Sequence, residues 1–171
     1  VVSVRVRGGW QDYVLDHHPL DVVGWDGYLY PYTFNIHDFE PIVKAVHAPP
    51  PVHQTFAAPN VVICSFCPRP LDWHDDAVPI PYSHANLNSE EVLYYVSGEF
   101  SSREGIDVGA MTLHPSGVPH GPQPGLAERS IGATHTDEMA VMVDTFHPLR
   151  MTNVARDLER PGYIKSWSKV P

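Results

Sequence analysis

The sequence predicts an all-β domain, a sandwich or a barrel, with one short helix near the C-terminus. Its 171 residues include 18 Pro and 12 Gly, which break the chain too often for long helices. Short apolar runs with strand-like alternation lie between these breaks, at the close spacing typical of sandwiches and barrels. Hydrophobic residues make up 43% of the chain, so a single domain of this length can bury a core.

The strand signals follow one another along the whole chain. Residues 1–24 alternate around the turn Gly8-Gly9, and residues 24–32 are dense in aromatic side chains, which usually pack in a core. A helical turn is expected within 35–40. The remaining predicted strands are 42–47, 61–67, 91–97, 109–114, 130–135 and 139–146.

Residues 152–160 carry the clearest helix signal. Thr152 or Asn153 can cap the N-terminus, and Pro161-Gly162 would end the helix. We therefore expect three segments: N-terminal strands and an aromatic-rich segment packing on the barrel (1–40), the barrel itself (41–150), and a C-terminal helix and tail (151–171).

Charge and hydropathy exclude some classes of partner. The net charge is −9, from 11 Lys and Arg against 20 Asp and Glu, which disfavours nucleic acid and anionic membranes. The sequence contains no apolar run of membrane-span length and no signal-peptide pattern. The chain opens at Val1 in strand-like alternation, which predicts a piece of a longer protein or a processed one.

The two cysteines, Cys64 and Cys67, have the spacing of half a zinc site or of a redox pair. They lie in a strand pattern, however, where residues three apart point to opposite faces. We therefore expect reduced core thiols, which indicate a cytoplasmic protein.

Between residues 82 and 122, a carboxylate and several histidines lie at the ends of two strand-like runs. The chain has 11 His in all, and imidazole is the commonest protein ligand for metals. Two His and one carboxylate with open positions form the ligand set of non-haem Fe(II) enzymes that use O₂. This stretch therefore predicts a metal centre.

Two spacings in this stretch resemble the two motifs of the cupin family. Glu91 precedes Gly98 by seven positions, and residues 109–120 read Gly-x5-Pro-x-Gly-x2-His, ending at His120. Cupins are double-stranded β-helix (jelly-roll) barrels. The resemblance implies that fold, with His84, Glu91 and His120 as metal ligands inside the barrel.

Motifs along nearly the whole chain are similar to the C-terminal, iron-binding half of the homogentisate 1,2-dioxygenases. They are DVVGWDG (21–27), YPY (30–32), PYSHAN (81–86), LH (113–114), PHGP (119–122) and DEMA (137–140). The resemblance implies an Fe(II)-dependent ring cleavage of a 1,4-dihydroxylated aromatic acid by O₂, most closely of homogentisate to maleylacetoacetate. It also implies a trimer-based homo-oligomer, and a long N-terminal domain that a missing segment or a partner chain would supply.

The acidic ligand has two candidates. The family's Glu follows the first ligand His by six positions, which gives Glu90, whereas the spacing back from Gly98 gives Glu91. We assign Glu91, because a strand fixes the distance to the turn glycine more strictly than the loop before it can.

The resemblance implies further site residues. His114 matches a His that contacts substrate, where it and the ligand His120 would line the site, and His114 is a second candidate for a catalytic role. The family's general base lies in a Pro-rich turn, which His47 matches best, with His53 as its rival. Phe100 stands where the family has a Tyr, so it can stack on a ring but cannot hydrogen-bond a phenolic oxygen.

Charge balance and substrate stay open at this point. Arg103 and Arg129 are candidate cations for the substrate's negative charge. The fold and ligands also permit cleavage of gentisate or hydroquinone, a Zn- or Mn-dependent isomerase, or a non-catalytic cupin that binds a small acid.

Overall fold

The computed structural model describes residues 1–18 and 33–168. The aromatic-rich segment 24–32 and the motifs at 21–27 and 30–32 lie outside the described residues. Within the chain, Val1–Asn35 and Ile36–Pro171 form two separate compact units.

The first unit contains a β-hairpin. Strands β1 (Val2–Val6) and β2 (Gly9–Tyr13) pair antiparallel, with Val6 opposite Gly9. Gly8 has φ +93°, a conformation that glycine adopts without strain, so it makes the tight turn that the sequence predicts.

The second unit is built on an antiparallel five-stranded sheet of order β3-β4-β9-β6-β7, with a short separate pair β5-β8. The strands are β3 (Gln54–Ala58), β4 (Val61–Phe66), β5 (Arg69–Pro70), β6 (Glu90–Ser97), β7 (Met111–His114), β8 (His135–Thr136) and β9 (Met139–Thr145). The all-β, cupin-like fold expected from the sequence is confirmed.

Strand alternation gives the sheet an inner face that turns toward a cavity. In β4, β9 and β6, every second residue lines this cavity. The inner residues of these strands are Val62, Cys64, Phe66, Ala140, Met142, Asp144, Glu91, Leu93 and Tyr95. Among them Cys64, Tyr95 and Ala140 are buried core residues, and the Tyr95 hydroxyl lies 3.1 Å from that of Thr112. The sheet register therefore decides which side chains reach the site.

Helices are few and short. The predicted C-terminal helix is α2 (Asn153–Asp157), and the Thr152 hydroxyl caps it by accepting from the Ala155 amide at 3.1 Å. A 3₁₀ turn covers Ile36–Asp38, as expected. The helix α1 (Leu126–Ser130) was not predicted, and two further 3₁₀ turns cover Pro50–His53 and Tyr163–Trp167.

Two predicted strands are wrong. Residues 42–47 form no strand, because their backbone groups pair with a neighbouring loop. The Lys44 amide donates to the Asp72 carboxylate at 3.0 Å, and the His74 amide donates to the Ala45 carbonyl at 2.8 Å. Of residues 130–135, only His135 is in a strand.

The second error has a local cause. The chain leaves α1 through a turn in which the Ala133 amide donates to the Ser130 carbonyl at 3.0 Å. Gly132, at φ +85°, allows that turn, so the apolar pattern there marks the end of a helix.

The thiol prediction agrees with the structure. Cys64 and Cys67 are free and buried. Burial, followed by the nearby Asp144 and Glu91 carboxylates, raises the pKa of Cys64 to about 11, and burial also raises the pKa of Cys67. Both therefore stay protonated near neutral pH.

Among residues 1–18 and 33–168, no helix combines the length and apolar character that a membrane crossing requires.

Candidate metal centre

A cavity of about 620 Å³ lies against the inner face of the sheet. Its volume is in the range of small-molecule sites. The residues singled out from the sequence that line it are His47, His53, His84, Glu91, Phe100, Arg103, His114 and His120. The fold thus brings these distant residues to one cavity, with Arg129 outside its lining.

His84, Glu91 and His120 each offer a ligand atom to one cluster, in which these atoms lie within 4.8 Å of one another. His84 and His120 face each other across an antiparallel bridge with backbone hydrogen bonds of 2.8 Å in both directions. Glu91 comes from β6, on the inner face of the sheet. Two loops and one strand therefore supply the cluster.

The backbone fixes the orientation of both cluster imidazoles. The Nδ1 of His84 lies 2.9 Å from the Tyr82 carbonyl, and the Nδ1 of His120 lies 3.0 Å from the Val118 carbonyl. A carbonyl only accepts, so each Nδ1 carries the proton and donates it. In the neutral rings Nε2 then holds a lone pair, the arrangement that metal-binding histidines use.

Glu91 is 5% exposed and fully engaged. The Asn86 amide donates to Oε1, while Oε2 lies 3.0 Å from Nδ1 of His114 and 3.0 Å from Nε2 of His120. Burial alone would raise the pKa of Glu91, but its contacts with His114 and His120 outweigh burial. They hold the pKa of Glu91 well below its usual range, so the carboxylate is ionised.

The contact between His120 and Glu91 is short but is not a hydrogen bond. The buried Nε2 of His120 has no hydrogen bond of acceptable geometry, although Oε2 of Glu91 is 3.0 Å away. With Nδ1 protonated, a neutral ring would turn its lone pair on Nε2 toward the carboxylate oxygen. Burial opposes protonation of His120, yet Glu91 and the Val118 carbonyl raise its pKa. Either a proton or a metal ion between the two atoms relieves the repulsion.

Glu90 has a different environment. It precedes Glu91 in β6, so strand alternation turns it away from the cavity. Its Oε2 accepts from the Leu149 amide at 2.6 Å. Glu90 is therefore occupied in holding the segment after β9.

His114 lies directly opposite Glu91 in the pairing of β7 with β6. Its Nδ1 donates to Glu91, and its Nε2 lies 3.4 Å from a terminal nitrogen of Arg103. Burial lowers the pKa of His114, against the opposing effect of Glu91. With both ring nitrogens engaged, the geometry favours a role in holding Glu91 over a role as proton acceptor.

The two candidate bases differ in exposure. His47 is exposed at the cavity, with its ring centroid 5.5 Å from that of Tyr82, which in turn lies 5.7 Å from His84. The ring of His53 packs on Phe66 at 4.6 Å, and its Nδ1 is buried without a hydrogen-bond partner among the described residues. Burial and then Arg69 lower the pKa of His53 to about 4.

Phe100 lines the cavity and packs edge-on against Tyr95, with ring centroids 4.6 Å apart. The side chain thus forms part of the aromatic wall near the cluster.

Sequence reasoning missed three polar features of the cavity. Asn86 holds Glu91, and the ion pair Arg69–Glu138 (2.9 Å) lines the cavity with both side chains largely buried. Asp144 lies opposite Glu91 in the pairing of β9 with β6, and its Oδ1 is buried without a hydrogen-bond partner among the described residues. Burial, followed by Glu91, raises the pKa of Asp144 to about 6.

A signal for Asp144 exists in the sequence. It follows Ala140 and Met142 at the two-residue spacing of one strand face, so it belongs to the inward face. Arg129, in contrast, pairs with Glu104 on the surface, where both side chains are more than half exposed.

The fold and the cluster define a class: an all-β, cupin-like domain with a His–Glu–His cluster compatible with metal binding. Residues 32–171 match the family model of the homogentisate 1,2-dioxygenase C-terminal domain. The chain belongs to that family.

Individual relatives agree with this assignment. A Saccharolobus solfataricus protein, provisionally named a dioxygenase, is 45% identical over 166 residues, covering 96% of this chain and 43% of the relative. The homogentisate 1,2-dioxygenase of Rhizobium leguminosarum bv. trifolii is 31% identical over 185 residues, covering 97% and 40%. That of Sinorhizobium medicae is 31% identical, covering 98% and 40%. The chain thus spans about two fifths of the length of these relatives.

Proposed function

We propose that this chain carries the Fe(II) centre of a dioxygenase that cleaves the ring of a 1,4-dihydroxylated aromatic acid, homogentisate. The product would be maleylacetoacetate, with both atoms of O₂ inserted at the opened ring bond. The observation that carries the proposal is the convergence of His84, Glu91 and His120 at a cavity of small-molecule size. Family membership supports the reaction class, because the relatives at about 31% identity are named homogentisate 1,2-dioxygenase.

The residues present fit a divalent metal ion. His84 and His120 have their Nδ1 protons fixed on carbonyls, and the buried Nε2 of His120 faces an ionised carboxylate without a hydrogen bond. His84, Glu91 and His120 would hold the metal. When bound, Fe(II) would supply open positions for the substrate's phenolic oxygen and for O₂, and electron transfer between them.

His47 is our candidate for the general base. It is exposed at the cavity and separated from His84 by the ring of Tyr82. A neutral imidazole has one ring nitrogen that accepts a proton, so His47 can take the phenol proton when the substrate binds. His53, half-buried and with its pKa held at about 4, is the weaker candidate.

The other lining residues would orient the ring. Phe100 offers an aromatic surface for stacking, and His114 and His120 border the same space. Arg69 and Arg103 are the cations of the cavity lining, and the substrate's carboxylate requires such a charge nearby.

Partners beyond the substrate are also proposals. The curated relatives are more than twice as long as this chain, and we propose that additional polypeptide and a homo-oligomer, trimer-based as in the resembled enzymes, complete the working protein. The charge of −9 makes nucleic acid and membranes unfavourable partners.

Phe100 bears on which dihydroxybenzoid is the substrate. Without a hydroxyl at this position, the cavity loses a hydrogen bond to a phenolic oxygen, so gentisate or hydroquinone are alternative dihydroxybenzoids. A non-catalytic, small-acid-binding domain is the third outcome that an experiment must separate.

The test is metal analysis followed by O₂ uptake with homogentisate, gentisate and hydroquinone. We expect about one iron per chain and O₂ consumption that is fastest with homogentisate, together with the absorbance of a ring-cleaved product. Faster turnover of gentisate or hydroquinone would move the substrate assignment. If the protein binds no metal even in its full assembly, the non-catalytic, small-acid-binding domain is the remaining hypothesis.

A further inference from the structure

Arg103 lies at the junction of three parts of the site. One terminal nitrogen donates to the carbonyl of Gly121, the residue that follows His120. The other lies 3.4 Å from Nε2 of His114. The guanidinium carbon is 5.2 Å from the centroid of the Trp167 ring, within the range of a cation–π contact. One side chain thus contacts Trp167 in the C-terminal segment, Gly121 next to His120, and His114 next to Glu91.

Trp167 makes a second contact with the same carbonyl. Its indole Nε1 donates to the Gly121 oxygen at 3.1 Å. Gly121 itself is packed so closely on Ser83 that an added Cβ would lie 2.7 Å from the Ser83 Cα. Ser83 and Gly121 flank His84 and His120, whose backbones pair directly. The two donors on this carbonyl therefore hold the bridge that carries both histidines.

Arg103 also supports the tautomer of His114 in which Nδ1 carries the proton. Arginine has only donors, so the Nε2 that faces it must accept. The proton is then on Nδ1, where it is donated to Oε2 of Glu91 at 3.0 Å. An ionised carboxylate only accepts, so Glu91 by itself keeps this proton on Nδ1. Loss of Arg103 would therefore leave Nε2 without its donor and the ring held at one nitrogen only.

We propose that Arg103 is a positioning residue that couples the C-terminal turn Tyr163–Trp167 to the metal centre, by fixing the Gly121 carbonyl and the ring of His114. An alternative role as anchor for the substrate's carboxylate fits less well. Both terminal nitrogens are engaged, and Nε is buried without a partner among the described residues. The part of this inference that concerns metal binding rests on the proposed function.

Three variants and one control test the proposal in the full assembly. R103M removes every donor, R103K keeps the charge without the planar fork, and W167F keeps a ring but loses the indole donor. R129M is the matched control, because Arg129 is paired on the surface with Glu104.

The first readout is titration with Co(II), followed by its visible spectrum. Outer-shell partners of metal ligands typically change affinity about 10–100-fold, so we expect R103M to bind Co(II) that much more weakly, with an altered spectrum. R103K should recover part of the loss, W167F should show a smaller loss, and R129M should stay within about twofold of wild type. At saturating iron, R103M should lower kcat with little change in KM, whereas loss of a substrate anchor would raise KM.

The second readout needs no metal. In ¹⁵N NMR of the metal-free protein, His114 should be the Nδ1–H tautomer in both proteins, and its Nε2 resonance should shift in R103M because the hydrogen bond from Arg103 is lost. If wild type binds no metal but this Nε2 shift occurs, the proposed function fails and the role of Arg103 stands. Unchanged Co(II) affinity and an unchanged Nε2 resonance in folded R103M would overturn the inference. Should R103M not fold, the same unchanged readouts in R103K and W167F would overturn it.

Discussion

The histidines of the cavity are held in two different ways. His84 and His120 sit on backbones that pair with each other, and each has its Nδ1 fixed by a carbonyl two residues before it. His47 and His53 belong to a proline-rich segment whose only regular element is the 3₁₀ turn Pro50–His53.

The difference matches two chemical requirements. A metal site needs ligand atoms at fixed positions, and rigid supporting contacts provide them. A base must approach a substrate that comes and goes, and an exposed imidazole on irregular backbone can adjust to it. The cavity thus combines a fixed wall with an adaptable one.

The largest expected effect separates Glu91, on the fixed wall, from the adjacent Glu90, which points away from the cavity. E91Q should weaken metal binding by at least about 100-fold, more than an outer-shell change, because it removes the buried charge that the histidines require. E90Q should bind metal like wild type, since Glu90 holds only the Leu149 amide. Metal titration of both variants is the measurement. Normal binding by E91Q with loss in E90Q would exchange the two assignments.

On the adaptable wall, variants of His47 and His53 test which of the two is the general base. Removal of a general base typically costs about 10²–10⁴-fold in rate, so H47Q should lower kcat by that order while metal binding is retained. H53Q should change kcat less than tenfold, because His53 is buried against Phe66. Steady-state kinetics with homogentisate would decide, and the reverse ranking would make His53 the base.

The same contrast explains how far the sequence could predict the site. Glu91 was assigned over Glu90 from its distance to Gly98, and strand β6 does turn Glu91 inward. This orientation follows because a strand has a strict period of two and ends at a turn glycine, and the role of Glu91 as ligand stays a prediction. Asp144 obeys the same rule on β9 but was missed, because no motif marks it.

On the irregular side, prediction failed for physical reasons. The alternation in 42–47 predicted a strand, but tertiary hydrogen bonds to Asp72 and His74 took its backbone groups. The partners of such a segment are distant in sequence, and local propensity does not identify them. The role of Arg103 likewise depends on Trp167, 64 positions later, which only the folded chain brings near.

The glycine that ends β6 allows a test of how firmly the strand is fixed. Gly98 has φ +83°, and an added Cβ would lie 2.2 Å from the Asp137 carbonyl oxygen. Gly109 has a similar φ of +87° with nothing within 4 Å, so it is a matched control. G109A should lose about 1–2 kcal/mol of unfolding free energy from backbone strain alone. G98A should lose roughly 2 kcal/mol more, because the Asp137 backbone must move.

Chemical denaturation of the two glycine variants gives both numbers. Equal losses would mean that the turn after β6 adapts freely, and the contrast between a fixed and an adaptable wall would then weaken.

The smallest expected effect is a change in how stability depends on pH, and it comes from His53 on the adaptable wall. Burial and Arg69 hold the pKa of His53 at about 4, below its ordinary 6.5. Between these values the unfolded chain binds more protons than the folded one. The stability present above about pH 6.5 is therefore lost progressively as the pH falls toward 4. H53Q removes this proton uptake and should lose less stability, by roughly 1–2 kcal/mol, between pH 7 and pH 4.5.

Denaturation at the two pH values, with a chelator present so that metal release does not contribute, measures the effect. H47Q is the control, because it removes an exposed histidine from the same proline-rich segment, and H53Q should depart from the wild-type pH dependence more than H47Q does. If H53Q lost as much stability as wild type, His53 would be reached by solvent and protons in the native state. The proline-rich segment would then be open at both histidines, and His53 would regain equal standing with His47 as the base.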